Sequence, residues 1–192
     1  SHGSLNSLTT TDNKIFTTHL FPQDTDHTCT IVVEAGKFTD AVGNVNTITN
    51  TFTWNYNGSE PTMTISTSDI EEDEVSNLTS ITFTFTSDET TDNFEESNIT
   101  VSNGTLGTLN GSDTTYTATF TPSADGECSI SVPADTFTDE YGNNNTASNT
   151  FTWYYDEFAP TMTITSDTVT TGTTSNDTSI DLIFTTNEPT TE

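Results

Sequence analysis

The sequence predicts an all-β protein built from tandem antiparallel β-sandwich modules. Apolar residues alternate with polar ones in short runs, turn-forming residues separate those runs, and one long segment occurs twice. The period is about 99 residues, because "FTDAVGNVNTITNTFTWNYNGSEPTMTI" at 38–65 matches "FTDEYGNNNTASNTFTWYYDEFAPTMTI" at 137–164 without a gap. The 192-residue chain therefore covers nearly two periods of one structural unit.

The alternating runs predict the strands of one buried core. "ITFTF" at 81–85 and "FTWYY" at 151–155 have the two-residue period of strands with one buried face. Shorter runs occur at 63–65, 99–101, 116–120 and 130–132. About seven strands in about 100 residues is typical of an immunoglobulin-like sandwich. We expect its core to contain Phe83, Phe85, Tyr116, Phe120, Ile130, Val132, Phe151 and Trp153.

Turn signals separate these strands. They are "NGS" at 110–112, "PSADGE" at 122–127 and "DEYGN" at 139–143. In the last of these, Asp139 can accept local backbone hydrogen bonds, and Gly142 can adopt the positive φ that a tight hairpin needs. We therefore expect a hairpin at 139–143, directly before the last strand of a module.

The repeated phrase marks a joint between modules. "NTFTWYY" is the last strand of one module, "DEFAP" a short linker, and "TMTI" the first strand of the next, with Pro160 fixing the chain between them. The predicted division is 1–60 for the C-terminal part of one module, 61–159 for a complete module, and 160–192 for the N-terminal part of a third.

Composition excludes several classes of partner. The 29 acidic residues against Lys14 and Lys37 give a net charge of −27. Phosphate binding requires Lys and Arg, so we expect no nucleic-acid partner. We also expect no membrane insertion, because no apolar run approaches the roughly 18 residues of a membrane span.

The complete module resembles the bacterial Ig-like repeats of large extracellular adhesins and surface fibres. The motifs that carry the resemblance are "SDE" at 87–89, "NGTL" at 103–106, "YTATFTP" at 116–122 and "FTDEYGN" at 137–143. The resemblance implies a β-sandwich used as a spacer or adhesive unit, often secreted and often loaded with calcium. We therefore expect an extracellular or cell-surface location.

Acidic residues predict one candidate metal site. In an immunoglobulin-like topology, the module entry, the loop after the second strand and the last hairpin lie at one pole. Clustered carboxylates without basic partners repel each other unless a cation screens them, and Ca²⁺ accepts six to eight oxygen ligands. The alternative is that these residues are turn formers and solvated loop charges. The candidate ligands are Glu60, Asp88, Glu89, Asp92, Asp139 and Asn143.

Two other residue types are candidates for modification. Cys29 and Cys128 occupy equivalent positions, so no disulfide can close within a module. Each is either a small buried residue or a lateral cross-link between chains. Seven Asn-x-Ser/Thr sequons permit N-glycosylation without arguing for it; they begin at Asn57, Asn77, Asn98, Asn103, Asn110, Asn144 and Asn176.

We expect no enzyme. The complete module has no His, Lys or Arg, so a Ser/His or Cys/His arrangement could not recur along an array. The favoured function is a structural repeat unit of an extracellular fibre, stalk or appendage, with neighbouring repeats and homotypic lateral contacts as partners. The alternatives are the spacer or ligand-binding rod of an adhesin, and an ice or polysaccharide binder using rows such as Thr82, Thr84 and Thr86.

The partial modules at the two ends have two explanations. The chain is either a window on a longer array, or a subunit that completes its neighbours by donating strands. We favour the window. Joined end to end, the two partial modules lack counterparts of residues 94–101, so donation would leave Ile99 and Val101 unreplaced and a sheet edge open.

Overall fold

The structure, a computed structural model, describes residues 3–23, 25–91 and 93–189. These residues form β-strands and one short 3-10 helix at Glu96–Asn98, with no α-helix among them. The strands are β1 Gly3–Leu5, β2 Thr9–Thr10, β3 Phe16–Thr17, β4 Leu20–Pro22, β5 His27–Ile31, β6 Phe52–Tyr56, β7 Met63–Ser66, β8 Val75–Ser76, β9 Ile81–Ser87, β10 Thr100–Ser102, β11 Gly104–Leu106, β12 Asn110–Ser112, β13 Thr115–Pro122, β14 Gly126–Ser131, β15 Phe151–Tyr155, β16 Met162–Thr165 and β17 Ile183–Thr186.

Residues 63–155 form two facing sheets, which we call the central sandwich. One sheet has the order β11-β13-β9-β7, with β12 also paired to β13, and the other has the order β10-β14-β15-β8. All eight side chains predicted to line the core are buried between the sheets. The all-β, immunoglobulin-like sandwich predicted from the alternating runs is therefore confirmed.

The centre of the core is aromatic. Phe83 on β9 contacts Phe151 and Trp153 on the opposite sheet, with ring centroids 5.3 and 5.4 Å apart. Phe120 meets Trp153 edge to face at 4.7 Å, a geometry that the ring quadrupoles favour. The indole N–H of Trp153 is buried without a hydrogen-bond partner among the described residues. Apolar and aromatic packing therefore holds this side chain.

One strand pairing differs from the purely antiparallel prediction. β8 pairs with β15 in parallel, placing Val75 opposite Tyr154 and Ser76 opposite Tyr155. β7 belongs to the other sheet, so the chain changes sheets between Ser66 and Val75. Asp73, with a φ of 62°, lies in this crossing segment and donates its N–H to the carbonyl of Thr152 at 2.8 Å. The first two strands of the central sandwich, β7 and β8, therefore each form an edge of a different sheet.

The predicted turn at "NGS" is wrong in its position. Asn110–Ser112 is the strand β12, which pairs with Thr115–Thr117, and the turn falls at Asp113, whose φ is 61°. Gly111 is required for a different reason. Its φ is 133°, and a Cβ there would lie 2.2 Å from the carbonyl oxygen of Thr115. The glycine permits close strand approach and does not make the turn.

The segments on either side of the central sandwich repeat its strand registers. In what we call the head segment, residues 3–60, Cys29 lies opposite Trp54, as Cys128 lies opposite Trp153. In the tail segment, residues 160–189, Ile164 lies opposite Phe184, as Ile65 lies opposite Phe85. The tandem arrangement itself stays a prediction, although it accounts for these matching registers.

Replacing Trp153 with Ala should lower the free energy of unfolding by about 3–5 kcal/mol, because the substitution empties the centre of the aromatic core. Chemical denaturation measures the change. Tyr154→Ala is the matched control: the adjacent side chain is exposed, so its loss should cost less than about 1 kcal/mol. Equal losses for the two variants would contradict the inward placement of Trp153.

Candidate functional site

The hairpin at 139–143 is built around the carboxylate of Asp139. Its Oδ1 accepts the backbone N–H groups of Tyr141 and Asn143 at 2.9 and 2.8 Å, and its Oδ2 accepts the Asn143 side-chain amide at 2.8 Å. Gly142 has a φ of 92°, as predicted for the turn. The head segment has the same loop, in which Asp40 accepts from Val42 and Asn44. The Asn44 side-chain amide is the main reason that the pKa of Asp40 is lowered.

Side-chain amides connect this hairpin to the incoming chain. The Asn143 amide also donates to Oδ1 of Asn57 at 2.6 Å, and the Asn57 amide donates to Oε2 of Glu89 at 3.3 Å. Asp139 itself is buried and bridges to Thr91 in the loop that follows β9. The last hairpin, the loop after β9 and the linker thus meet in one hydrogen-bonded cluster, which we call the junction.

Asp26 holds the linker from the other side. Its Oδ1 accepts the N–H groups of Gly58 and Ser59 at 2.9 and 3.1 Å, so a head-segment loop binds the backbone leading into the central sandwich. The Gly58 N–H is the main cause of the lowered pKa of the Asp26 carboxyl. The ionised carboxylate accepts these bonds more strongly than the neutral acid does, so protonation of Asp26 at low pH weakens them. The first residues of the linker, 57–59, are therefore held by Asp26 of the head segment and by Asn143 and Glu89 of the central sandwich.

Asp88 binds the start of β7, and its predicted part in a metal site stays a prediction. Its two oxygens accept the backbone N–H and the hydroxyl of Thr62, both at 2.7 Å, and so secure the start of β7. In the tail segment Asn187 occupies the equivalent position and accepts the N–H of Thr161 at 2.6 Å. A neutral amide makes the same backbone contact, so this position does not need a negative charge.

The described donors suit a hydrogen-bonded junction better than a calcium cage. Asp139, Asn143 and Glu89 lie together, whereas Asp88 is engaged with Thr62 and Glu60 is exposed. Asp92 lies outside the described residues. Within 3–23, 25–91 and 93–189, no group of three or more His, Cys, Asp or Glu side chains is placed to hold a metal ion. Calcium binding at this pole stays a prediction.

Comparison with known proteins identifies the family. The bacterial Ig-like domain family matches residues 57–155, just over half of the chain and the whole central sandwich. The chain belongs to the bacterial Ig-like domain family. No curated protein and no solved structure matches it. The matched range begins at Asn57, so the linker side of the junction lies within the family's own sequence pattern.

The seven sequon asparagines differ in the exposure and the hydrogen bonding of their side chains. Asn57, Asn98 and Asn103 are half-buried, and their amides donate to Glu89, to the carbonyl of Thr136 and to the carbonyl of Ala124. A glycan on any of these three would break an internal hydrogen bond. The other four asparagines are exposed, although two of them also donate internally: Asn77, Asn110, Asn144 and Asn176. N-glycosylation stays a prediction, and the exposed group offers the easier sites.

Both cysteines are free thiols and buried, and Cys128 is fully enclosed in the Ig-like core. Burial raises the pKa of the Cys128 thiol, and the Asn103 amide, which donates to Sγ at 3.6 Å, partly offsets the rise. Cys29 contacts His27 at 3.2 Å instead. Lateral cross-linking stays a prediction, and it would require these strands to open.

The sequence analysis missed the asparagine that organises the end of the module. Asn145 is buried, and its Oδ1 accepts the N–H groups of Thr136 and Phe137 at 2.8 and 2.9 Å. Its amide donates to the carbonyls of Pro133 and Thr146 at 2.8 and 2.7 Å. The signal was present in the repeated phrase, because Asn46 makes equivalent contacts in the head segment.

The sequence analysis also did not identify Asn149, which contacts a residue far away in the sequence. Its Oδ1 accepts the N–H of Ile65 at 2.8 Å, and its amide donates to the Ile65 carbonyl at 3.0 Å. The side chain thereby takes the place of a further strand on the open edge of β7. Such coverage limits unwanted edge-to-edge pairing.

Asn145→Ala should destabilise the Ig-like module by at least about 2 kcal/mol, because it leaves several buried backbone groups without partners, each costing about 1–3 kcal/mol. Urea unfolding followed by tryptophan fluorescence measures this. Asn144→Ala provides the control: Asn144 is exposed and donates to Asp135, so its loss should change stability by no more than about 0.5 kcal/mol. A small effect at position 145 would contradict its organising role.

Proposed function

We propose that this chain is a structural repeat unit of an extracellular fibre, stalk or appendage, and that it acts by forming arrays. Bacterial Ig-like domains often occur on surface proteins and are typically non-catalytic, which supports a structural or surface-associated module. No helix among the described residues is long and apolar enough to cross a membrane. The modules and the junctions between them would perform this structural function.

The observation that carries the proposal is the hydrogen-bonded junction. A linker of only a few residues joins β6 to β7, and it is bound by Asp26 on one side and by Asn143 and Glu89, through Asn57, on the other. Unrestrained linkers allow neighbouring domains to move independently. Restraint from both sides suits a unit that transmits orientation and load along an array.

A second feature supports an extended array in solution. The net charge of −27 makes neighbouring modules repel each other, and the repulsion is strongest at low ionic strength. Repulsion between modules opposes folding back of one module onto another. Both the electrostatic repulsion and the hydrogen-bonded junction therefore favour an extended arrangement of modules.

The rod of a cell-surface adhesin is the main alternative, because spacer modules need the same junction. A distinct non-repeat tip domain in the full-length protein would favour it. Ice or polysaccharide binding is the third candidate. Thr82, Thr84 and Thr86 do lie opposite Thr119, Thr117 and Thr115 on the outer face of one sheet. Sheets twist by roughly 20–25° per strand, which opposes the flat array that this activity would need.

The fibre proposal is tested on cells that produce the protein. Gold-labelled antibodies against the central sandwich should decorate isolated surface filaments along their length at regular intervals. An antibody against an unrelated secreted protein of the same cells is the control. Label confined to the filament tip would support the adhesin instead, and unlabelled filaments would refute the fibre proposal.

Calcium at the junction is a separate proposal, supported by the meeting of the Asp139, Asn143, Asn57 and Glu89 oxygens and acting through the same residues. If the junction is held by hydrogen bonds alone, chelator should leave the thermal unfolding midpoint unchanged. If calcium binds, chelation should lower the midpoint, since a ligand of the folded state stabilises it by mass action. Magnesium added in place of calcium separates specific binding from general screening of the acidic surface.

A further inference from the structure

The chain contains three Asn-Gly pairs, a sequence in which asparagine can lose its side-chain amide. The pairs begin at Asn57, Asn103 and Asn110. The backbone nitrogen of the glycine attacks the side-chain carbon of the asparagine, and glycine permits the attack because no Cβ shields its nitrogen. Asparagine is accordingly one of the thermolabile residues of proteins. The three pairs lie in different environments, so the fold decides which of them reacts.

Two of the pairs are held in strands. Gly104 belongs to β11 and Gly111 to β12, and both strands pair with β13. A Cβ on either glycine would lie 2.2 Å from a neighbouring atom, so both backbones are closely packed. Attack by either nitrogen would require a paired strand to separate from its partner. We therefore expect both pairs to react slowly in the folded protein.

The pair in the linker has polar groups on both of its reacting atoms. Gly58 lies outside the strands, and its N–H donates to Oδ1 of Asp26 at 2.9 Å. The side-chain oxygen of Asn57 accepts the Asn143 amide at 2.6 Å, and its nitrogen donates to Glu89 at 3.3 Å. A carboxylate thus contacts the attacking nitrogen, and a hydrogen-bond donor contacts the carbonyl that is attacked.

We propose that Asn57–Gly58 is a self-modification site, at which the folded junction promotes the loss of ammonia from Asn57. The Gly58 nitrogen attacks Cγ of Asn57, and Asp26 takes the proton from that nitrogen as a general base. The Asn143 amide stabilises the negative charge that develops on Oδ1, as a donor of an oxyanion hole does. The bond from Cγ to Nδ2 then breaks, and the nitrogen leaves as ammonia after taking a proton from water. The product is a succinimide, a cyclic imide that joins the two residues.

The surroundings of Gly58 keep the reactive pair in place. A Cβ at this position would lie 2.6 Å from the Cε1 atom of Tyr56, so the tyrosine ring occupies the space of a side chain. Replacing the glycine would require that ring to move. Asp26 is ionised at neutral pH, because the Gly58 N–H and its other hydrogen bonds lower the pKa of the carboxyl. It is therefore able to accept a proton.

Hydrolysis of the succinimide changes the junction. Water opens the ring at either carbonyl and leaves aspartate or isoaspartate at position 57. In both products a carboxylate replaces the amide that donated to Glu89, so repulsion between like charges takes the place of a hydrogen bond. The linker is then held less firmly on the side of the central sandwich. This chemistry belongs to the junction itself and goes beyond the structural function proposed above.

Peptide mapping by mass spectrometry tests the reaction. The purified protein is incubated at neutral pH, and the loss of ammonia is followed at the three pairs. Asn57 should react at least about ten-fold faster than Asn103 or Asn110, since general acid–base catalysis contributes roughly 10²–10⁴-fold. In urea the three rates should become similar, because the contacts of the folded junction are lost. Equal rates in the folded protein would overturn the proposal.

The variant Asp26→Asn separates the base from the hydrogen bond. Its side-chain oxygen still accepts the Gly58 N–H, but it cannot take the proton. The reaction at Asn57 should slow about ten-fold or more. The rates at Asn103 and Asn110 should not change, so these pairs are internal controls. An unchanged rate at Asn57 would overturn the proposal.

The effect on the linker is tested with Asn57→Asp, which reproduces one product. Amide hydrogen exchange at residues 58–60 should become faster, because exchange reports local opening. Asn110→Asp is the matched control, since it adds the same charge at an exposed position and should leave exchange at 58–60 unchanged. Equal exchange in the two variants would overturn the proposed loosening of the linker.

Discussion

The packing of one sheet against the other is the constraint on which this structure depends. A strand that alternates Phe with Thr buries its aromatic face only when a second sheet covers it. In the central sandwich Phe83 meets Phe151 and Trp153 across the sheets, and the core is complete. The flanking segments repeat the alternation and the registers of the central strands. Local sequence specifies the hairpins, and burial requires the complete set of strands.

Side chains of Asn and Asp make stabilising contacts that ion pairs or additional strands often make in other proteins. Lys and Arg are almost absent, so the carboxylates bind backbone N–H groups, and the amides both donate and accept. Asp139 closes a hairpin, Asn145 organises the segment before it, and Asn149 covers the edge of β7. Because these bonds are short-ranged, salt affects them less than it affects the long-range repulsion among the acidic residues of the chain.

The sequence predicted the parts of the fold that local pattern determines. The core-facing residues of β9 and β15 follow from strict alternation, and the hairpin at Asp139 follows from its turn chemistry. The sequence did not predict the parallel β8–β15 pair, because the crossing between sheets depends on where the chain can reach. It placed the turn at "NGS" because Gly usually marks turns, whereas Gly111 permits a close approach between two strands.

The candidate site was predicted only in outline. Asp139, Asn143 and Glu89 do meet at one pole, but their main contacts are amides and backbone groups. Asn57 was considered only as a sequon, and its link to Asn143 joins residues 86 positions apart. Asn149 likewise reaches Ile65 across 84 positions. Composition cannot reveal such contacts, although the matching asparagines in the repeated phrase indicate that some of them recur.

The enclosed thiol of Cys128 has a consequence for how the Ig-like module can react. It lies on β14 opposite Trp153 and is inaccessible while the two strands remain paired inside the sandwich. Stretching that separates the sheets would bring this sulfur into water, where its thiolate could react. The reactivity of Cys128 thus depends on whether the sandwich is open, and the thiol is protected while the sandwich is closed.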